Sequence, residues 1–183
     1  MIFTINKYTL EYGIRDIINV IEQINNIDEL KCIKITAKDS GITLTSTDLD
    51  ITSCVNLEAQ ISTHGEVLVG GKILFDIIKK LNSDSIHFIK SDNDLLEIRS
   101  NKSRYKIKCL DSAGSEYFEI EDVDFDKTIQ LQGCELATLL NNAKISIGNQ
   151  GASYATGGVF LQLITNGEAK EVRVVSTNVP VAE

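Results

Sequence analysis

The segment of this 183-residue chain that comes nearest to a phosphate-binding loop is Val69-Gly70-Gly71-Lys72. Such a loop needs glycines so that backbone amides can close on the phosphates, a lysine for their charge, and a hydroxyl for the magnesium ion. The full pattern would place Gly where Glu66 stands and Ser or Thr where Ile73 stands. Both are missing, so nucleotide binding is not expected here. In Thr47-Asp48-Leu49-Asp50, the two carboxylates would share one face of a strand, as an acid–base pair or a metal site requires. With no histidine or third acid near them in sequence, they read better as turn chemistry at a strand end. His64 lies in a Thr-His-Gly turn, and His87 sits in the alternating SIHFIK, where it should face solvent. Cys32, Cys54, Cys109 and Cys134 show no CxxC spacing and lie in or beside apolar runs. They are expected as buried core thiols rather than zinc ligands or disulfide partners. No acid, base and nucleophile form a set, so no enzyme activity, metal or cofactor is expected.

Something must still position these residues, and composition bounds what it is. The chain is 43% hydrophobic, enough for a real core, with no apolar run long enough to span a membrane. Its start, MIFTINKYTLEYG, alternates like a strand and lacks the basic flank of a signal peptide, so a cytoplasmic location is expected. A formal net charge of −8 argues against simple electrostatic binding to DNA, which depends on Lys and Arg displacing counterions.

The strongest pattern is an internal repeat. Short alternating strands open it at Phe3 and Ile5, at Val67 and Val69, and at Ile129 and Leu131. A helical stripe follows each one: Leu10, Ile14 and Ile17, then Leu74, Ile78 and Leu81, then Leu136, Leu140 and Ala143. The copies are offset by 64 and then 62 residues without gaps between strand and helix. Spacing of i, i+4, i+7 puts each stripe on one helical face. Ile18, Ile21, Ile77, Leu139 and Ile147 widen these stripes. Hairpins come next, turning at Ser40-Gly41, at Asp92-Asn93 and near Gly167. Their second strands end alike, at Ser46, Ser100 and Ser176. A third strand follows in the first two copies, ITSCVNLEAQ and SRYKIKCL. The expected fold class is therefore α+β, from repeated β-α-β-β-β units with helices on one face of curved antiparallel sheets.

Two copies make a first domain over residues 1–112. An acidic linker over 113–126 follows, with carboxylates at Glu116, Glu119, Glu121, Asp122, Asp124 and Asp126. Residues 127–183 then hold an incomplete second domain.

Several segments carry a family resemblance. GITLTSTDLDI (41–51) closely matches the strand and turn of the beta sliding clamp, the processivity subunit of bacterial DNA polymerase III. GEVLVGGKILFDIIKKL (65–81) resembles its second strand and helix. LLEIRSNKSRYKIKCL (95–110) is similar to its next hairpin, with Ser103-Arg104-Tyr105 at the Ser-Arg-aromatic position. ELATLLNNAKISIGNQ and GGVFLQL resemble the start of its second domain. There are departures. Asn25-Asn26-Ile27-Asp28 and Ser112-Ala113-Gly114 replace proline-containing segments, and Thr177-Asn178-Val179-Pro180 replaces Thr-Asp-Gly-His-Arg.

The resemblance implies a DNA clamp fold: a head-to-tail homodimer ring, complete only in the full-length protein, that encircles duplex DNA. It implies partners in the polymerase III catalytic subunit, the clamp loader and other clamp-binding proteins, and no membrane. Helices would line the hole, with Arg15, Lys72, Lys79, Lys80 and Lys144 toward DNA. Gln150 and Tyr154 match polar and aromatic positions in a DNA-contacting loop, where Ala155 replaces a second aromatic. Ile77, Leu81, Tyr105 and Ile107 would form an apolar ring interface, with Lys102 and Arg104 pairing with a neighbour's acids. Of the pocket that receives partner peptides, only Thr177 fits. An acidic exterior would repel stray DNA while the lining carries a milder positive field, which answers the charge objection. The rival expectation is a small-ligand or protein-binding α+β module with no DNA role.

Overall fold

Phe3 and Ile5 point to one side of β1 (Ile2–Asn6), and Asn6 turns the chain straight into α1 (Lys7–Ile17). The Asn6 side chain accepts from the Tyr8 and Thr9 amides at 2.9 and 3.3 Å, satisfying donors that a helix start leaves open. These features belong to a computed structural model describing residues 1–21, 27–39, 41–91, 94–110, 130–147, 157–166 and 169–177. The expected turns at Ser40, at Asp92-Asn93 and at Gly167 fall wholly or partly outside the described residues, as do the 113–126 linker and Ile129.

After α1 come β2 (Cys32–Lys38), β3 (Gly41–Thr47), β4 (Thr52–Glu58) and β5 (Gln60–Thr63). The second copy gives β6 (Gly65–Gly70), α2 (Gly71–Lys80), β7 (Ser85–Lys90), β8 (Leu95–Ser100) and β9 (Ser103–Leu110). All nine strands join one antiparallel sheet in the order β4-β3-β2-β6-β9-β8-β7-β1-β5. The opening strands are exchanged between copies: β1 pairs with β7 of the second, and β6 pairs with β2 of the first. The repeat is therefore a unit of sequence, and each copy's sheet is completed by the other.

One element departs from expectation. The run ITSCVNLEAQ, read as a single strand, breaks at Ala59; β4 pairs with β3 and β5 moves across to β1. One stretch of chain thus supplies both terminal strands of the order, the seven-residue β4 at one end and the four-residue β5 at the other.

One face of this sheet is apolar and carries both helices. Leu10, Ile14 and Ile17 of α1 and Leu74, Ile78 and Leu81 in and just after α2 are buried in one cluster. Ile33, Ile35, Ile42, Leu44, Ile86, Leu96 and Ile98 meet them from the strands. Phe3 and Phe88, register partners on β1 and β7, stack with centroids 4.6 Å apart. Leu81 and Ile107, expected at the ring interface, both belong to this core, at 1% and 6% exposure. Leu81 closes the helical stripe, and Ile107 pairs with buried Leu96 on the inner sheet face. Both side chains are covered within the first unit itself.

The glycine pair beside Lys72 has a packing role. A Cβ on Gly71 would stand 2.2 Å from Ile21 Cδ1 and 3.1 Å from Ile33 Cγ1, so glycine lets α2 start against the core. The shared strand-end serine also has a cause. The Ser46 hydroxyl donates to the Ile17 carbonyl at 2.9 Å, and that of Ser176 donates to the Ala143 carbonyl, its repeat equivalent. Each adds a hydroxyl donor to a carbonyl in the last turn of a helix, and the Ala143 carbonyl also accepts from the Ser146 amide at 3.1 Å.

The chain divides between Asp122 and Val123 into two units. Within the second, α3 (Gly133–Lys144) packs beside a hairpin of β10 (Phe160–Asn166) and β11 (Ala169–Val175). Its stripe is less covered than expected: Leu136, Leu139, Ala143 and Ile147 are half-buried, and Leu140 is 37% exposed. The cysteine expectation holds for two of four. Cys32 and Cys109 are buried, and burial pushes the Cys32 thiol up to about 11. Cys54 and Cys134 are exposed, because one faces outward from β4 and the other lies on the outer side of α3.

Candidate nucleic-acid interface

Because Leu10, Ile14 and Ile17 are drawn into the core, α1 presents Tyr8, Tyr12, Arg15 and Asp16 outward. Arg15 donates to Glu11 Oε1 at 2.9 Å and lies over the Tyr12 ring at 5.4 Å. Lys7, 5.5 Å from the Tyr8 ring centroid, approaches the same glutamate at 3.8 Å. Two basic and two acidic side chains leave α1 neutral.

The α2 surface is more positive, with Lys72, Lys79 and Lys80 against Asp76, all exposed. Lys79 reaches Asp76 at 3.8 Å and stands 4.6 Å from the Phe75 ring centroid. Lys80 has no acidic partner among the described residues. Lys144 is exposed in the last turn of α3. Arg15, Lys79, Lys80 and Lys144 all lie near helix C-termini, where the backbone dipole favours cations; their placement therefore has a structural cause as well. Gln150 and Tyr154 lie outside the described residues, as does the peptide-pocket segment beyond Thr177, which is itself exposed.

The β8–β9 hairpin and Ile77 on α2 hold the remaining predicted residues. Asn101 takes φ 50° at its turn, a left-handed conformation that asparagine tolerates. Lys102 and Arg104 are exposed, Tyr105 is 36% exposed, and Ile77 is half-buried against the core. Sequence reasoning missed Glu97. Its Oε1 accepts from Arg104 Nε at 2.6 Å and from Arg99 Nε, and its Oε2 accepts from Arg104 Nη2 at 2.7 Å. These bonds, Arg104's first, hold the carboxyl at about 2, far below the usual glutamate range. The signal was available: Glu97 and Arg99 alternate on one strand face opposite Lys106 and Arg104.

The other candidates resolve as turn and surface chemistry. Asp48 Oδ1 accepts from the amides of Asp50 and Ile51 at 3.1 and 2.7 Å, and Leu49 sits at φ 83°. His87 is exposed and hydrogen-bonds its register partner Thr4 at 2.8 Å. A cleft at the edge of the sheet is lined by Thr4, Asn6, Glu58, Gln60, Asp84 and Ser85 with Ile5 and Ala59. No helix is long and apolar enough to cross a membrane, among the described residues.

Comparison with known proteins supplies the family. Residues 1–119 match the DNA polymerase III beta subunit, N-terminal domain. The beta sliding clamp of Rickettsia bellii is 28% identical over 146 residues, covering 79% of this chain and 38% of its own length. That of Pseudomonas putida is 26% identical over 180 residues, covering 97% of this chain and 47% of its own. The solved structure of Caulobacter crescentus pol III beta shares the fold, with a TM-score of 0.85 at 22% identity over 97% of this chain and 48% of that one. The chain thus spans less than half the length of these relatives, and with its family match running through the whole nine-stranded sheet, it belongs to the DNA polymerase III beta subunit family.

Proposed function

We propose that this chain is the N-terminal portion of a sliding clamp, a non-catalytic processivity factor that encircles duplex DNA and tethers the replicative polymerase. The observation that carries the reading is the match of residues 1–119 to the family's N-terminal domain. The architecture agrees with it: helices occupy one face of the first unit's sheet, and three lysines to one aspartate give α2 a mild positive surplus. A closed ring holds DNA by topology, so each contact can be weak and the ring can slide. Arg15, Lys72, Lys79 and Lys80, with Lys144 on α3, would supply the sequence-independent contacts to phosphate, joined by Gln150 and Tyr154.

The ring would be a head-to-tail homodimer of the full-length protein, acting in the cytoplasm with the polymerase III catalytic subunit and the clamp loader. On the first domain, taken as 1–112 and followed by the 113–126 linker, its interface would draw on Ile77, Tyr105, Lys102 and Arg104 at the surface, with Leu81 and Ile107 beneath them, and Arg99, the register partner of Arg104, would join the basic side chains. Thr177 would belong to a peptide pocket for clamp-binding proteins.

The test uses the complete protein encoded by the gene, loaded on nicked circular DNA with clamp loader and ATP. Retention on circles that is lost when they are linearised is expected. Release that does not depend on DNA ends would reject the ring. Replacing Lys72, Lys79 and Lys80 with glutamate should reduce loading and retention, most visibly at low salt.

A further inference from the structure

We propose that Glu97 is a positioning residue for protein recognition: it holds Arg99 and Arg104 side by side on the outer sheet face so that their remaining N–H groups receive a carboxylate from a neighbouring subunit. The inference rests on the ring-interface reading above and adds to it an internal acid.

Arg99 and Arg104 are direct register partners across β8 and β9. Two like charges opposite one another repel, so the pair needs a third group to stand together. Glu97 supplies it, two residues before Arg99 on the same strand face. Its two oxygens take three N–H groups, two from Arg104 and one from Arg99. The carboxylate is covered, with its side chain 9% exposed, while the side chains of Arg99 and Arg104 are 50% and 56% exposed. The acid therefore anchors from beneath and the guanidinium ends face out. Each guanidinium carries five donors. Arg104 keeps three of its own and Arg99 keeps four, in the planar geometry that suits an oxyanion.

The surroundings favour an acidic partner. Lys106 and Lys108 continue the outer face of β9, and Lys102 stands in the turn, all exposed. From Arg99 to Lys108 there are five cations and no acid, in a chain whose net charge is −8. The apolar face opposite, built from Leu96, Ile98 and Ile107, carries the helices proposed to meet DNA. An anion reaching the outer face is thus assigned to protein rather than nucleic acid.

The test is the self-association constant of the complete protein, measured by dilution at two salt concentrations, with a melting curve for each variant. Replacing both arginines with glutamine should weaken association about tenfold, the scale of two exposed ion pairs. Glu97→Gln should weaken it by about three- to fivefold on the same scale, with near-native melting. Adding Glu97→Gln to the arginine double variant should cost nothing more. Tighter association in Glu97→Gln would overturn the inference, because Glu97 would then compete with the partner's acid. Unchanged association in Glu97→Gln beside a weakened arginine variant would also sink it and leave the interface reading standing. An arginine variant that associates normally rejects the interface reading itself. If the same variant instead loses affinity for linear duplex DNA, the partner is nucleic acid and the assignment is wrong.

Discussion

The two units use one sequence pattern and arrive at different degrees of burial. In the first, Ile14 and Ile78 are 0% exposed, because two copies exchange their opening strands and cover each other's helices. In the second, the equivalent Leu140 is 37% exposed, and Phe160, Leu161 and Leu163 on β10 are exposed as well. The helical stripe has the same spacing in all three. An amphipathic stripe therefore states which face needs covering, while whether it is covered depends on a second copy being packed against it.

Substitution at the matched stripe positions tests this most strongly. Ile14→Ala in the 183-residue chain should cost about 2–5 kcal/mol, as loss of a fully buried aliphatic group does. Leu140→Ala should cost less than about 1 kcal/mol, because much of that side chain already meets water. Hydrogen exchange resolved along the chain would assign each loss to its own unit. Equal costs at the two positions would mean that Leu140 is as well covered as Ile14.

A sign reversal is expected one step lower in magnitude. Gly71 and Gly133 are repeat equivalents at the first residue of α2 and α3. Alanine at Gly71 collides with Ile21 and Ile33, so Gly71→Ala should destabilise by about 1–3 kcal/mol. Nothing lies within 4 Å of a Cβ on Gly133, so Gly133→Ala should be neutral or stabilise by less than about 1 kcal/mol. Chemical denaturation of both variants decides it, and a loss at Gly133 would reveal a neighbour against α3. The strand-end serines come next. Ser46→Ala removes a buried hydroxyl bond to the Ile17 carbonyl, for a cost of about 1–2 kcal/mol. Ser176 is only half-buried, so water can replace its hydroxyl, and Ser176→Ala should cost about half as much.

Much of this was legible in the residues. Leu10, Ile14 and Ile17 announced a buried face because spacing alone fixes which side chains share a helical side. The recurring serine was visible as a pattern, but its partner, a carbonyl 29 residues away in sequence, was not. The exchange of β1 and β6 was invisible for a related reason. Strand pairing depends on which edges meet, and alternation says nothing about that. Leu81 shows the opposite difficulty: one residue satisfied both the core pattern and the family's interface pattern, and only the packing places it in the core. At the surface, Arg104 was expected to wait for a neighbour's acid, while Glu97 on the adjacent strand had already engaged it.

That engagement gives the smallest effect and the sharpest contrast between the units, because the residues equivalent to Glu97 and Arg99 on β11 are Arg173 and Val175. The first unit should therefore carry an acid-sensitive contribution that this position in the second does not. Glu97 titrates near 2 in the folded chain against an ordinary value of about 4.5. Since folding lowers its pKa, its stabilising contribution is complete above about pH 4.5 and is lost as pH falls through about 2. The side chains of both arginines are half exposed, so solvent and salt screen much of the effect. In denaturant titrations between pH 5 and about 2, Glu97→Gln should remove part of the acid dependence of the first unit and leave that of the second unchanged. A variant that tracks the parent protein over that whole range would mean that Glu97 holds the two arginines too loosely to favour its own ionised form.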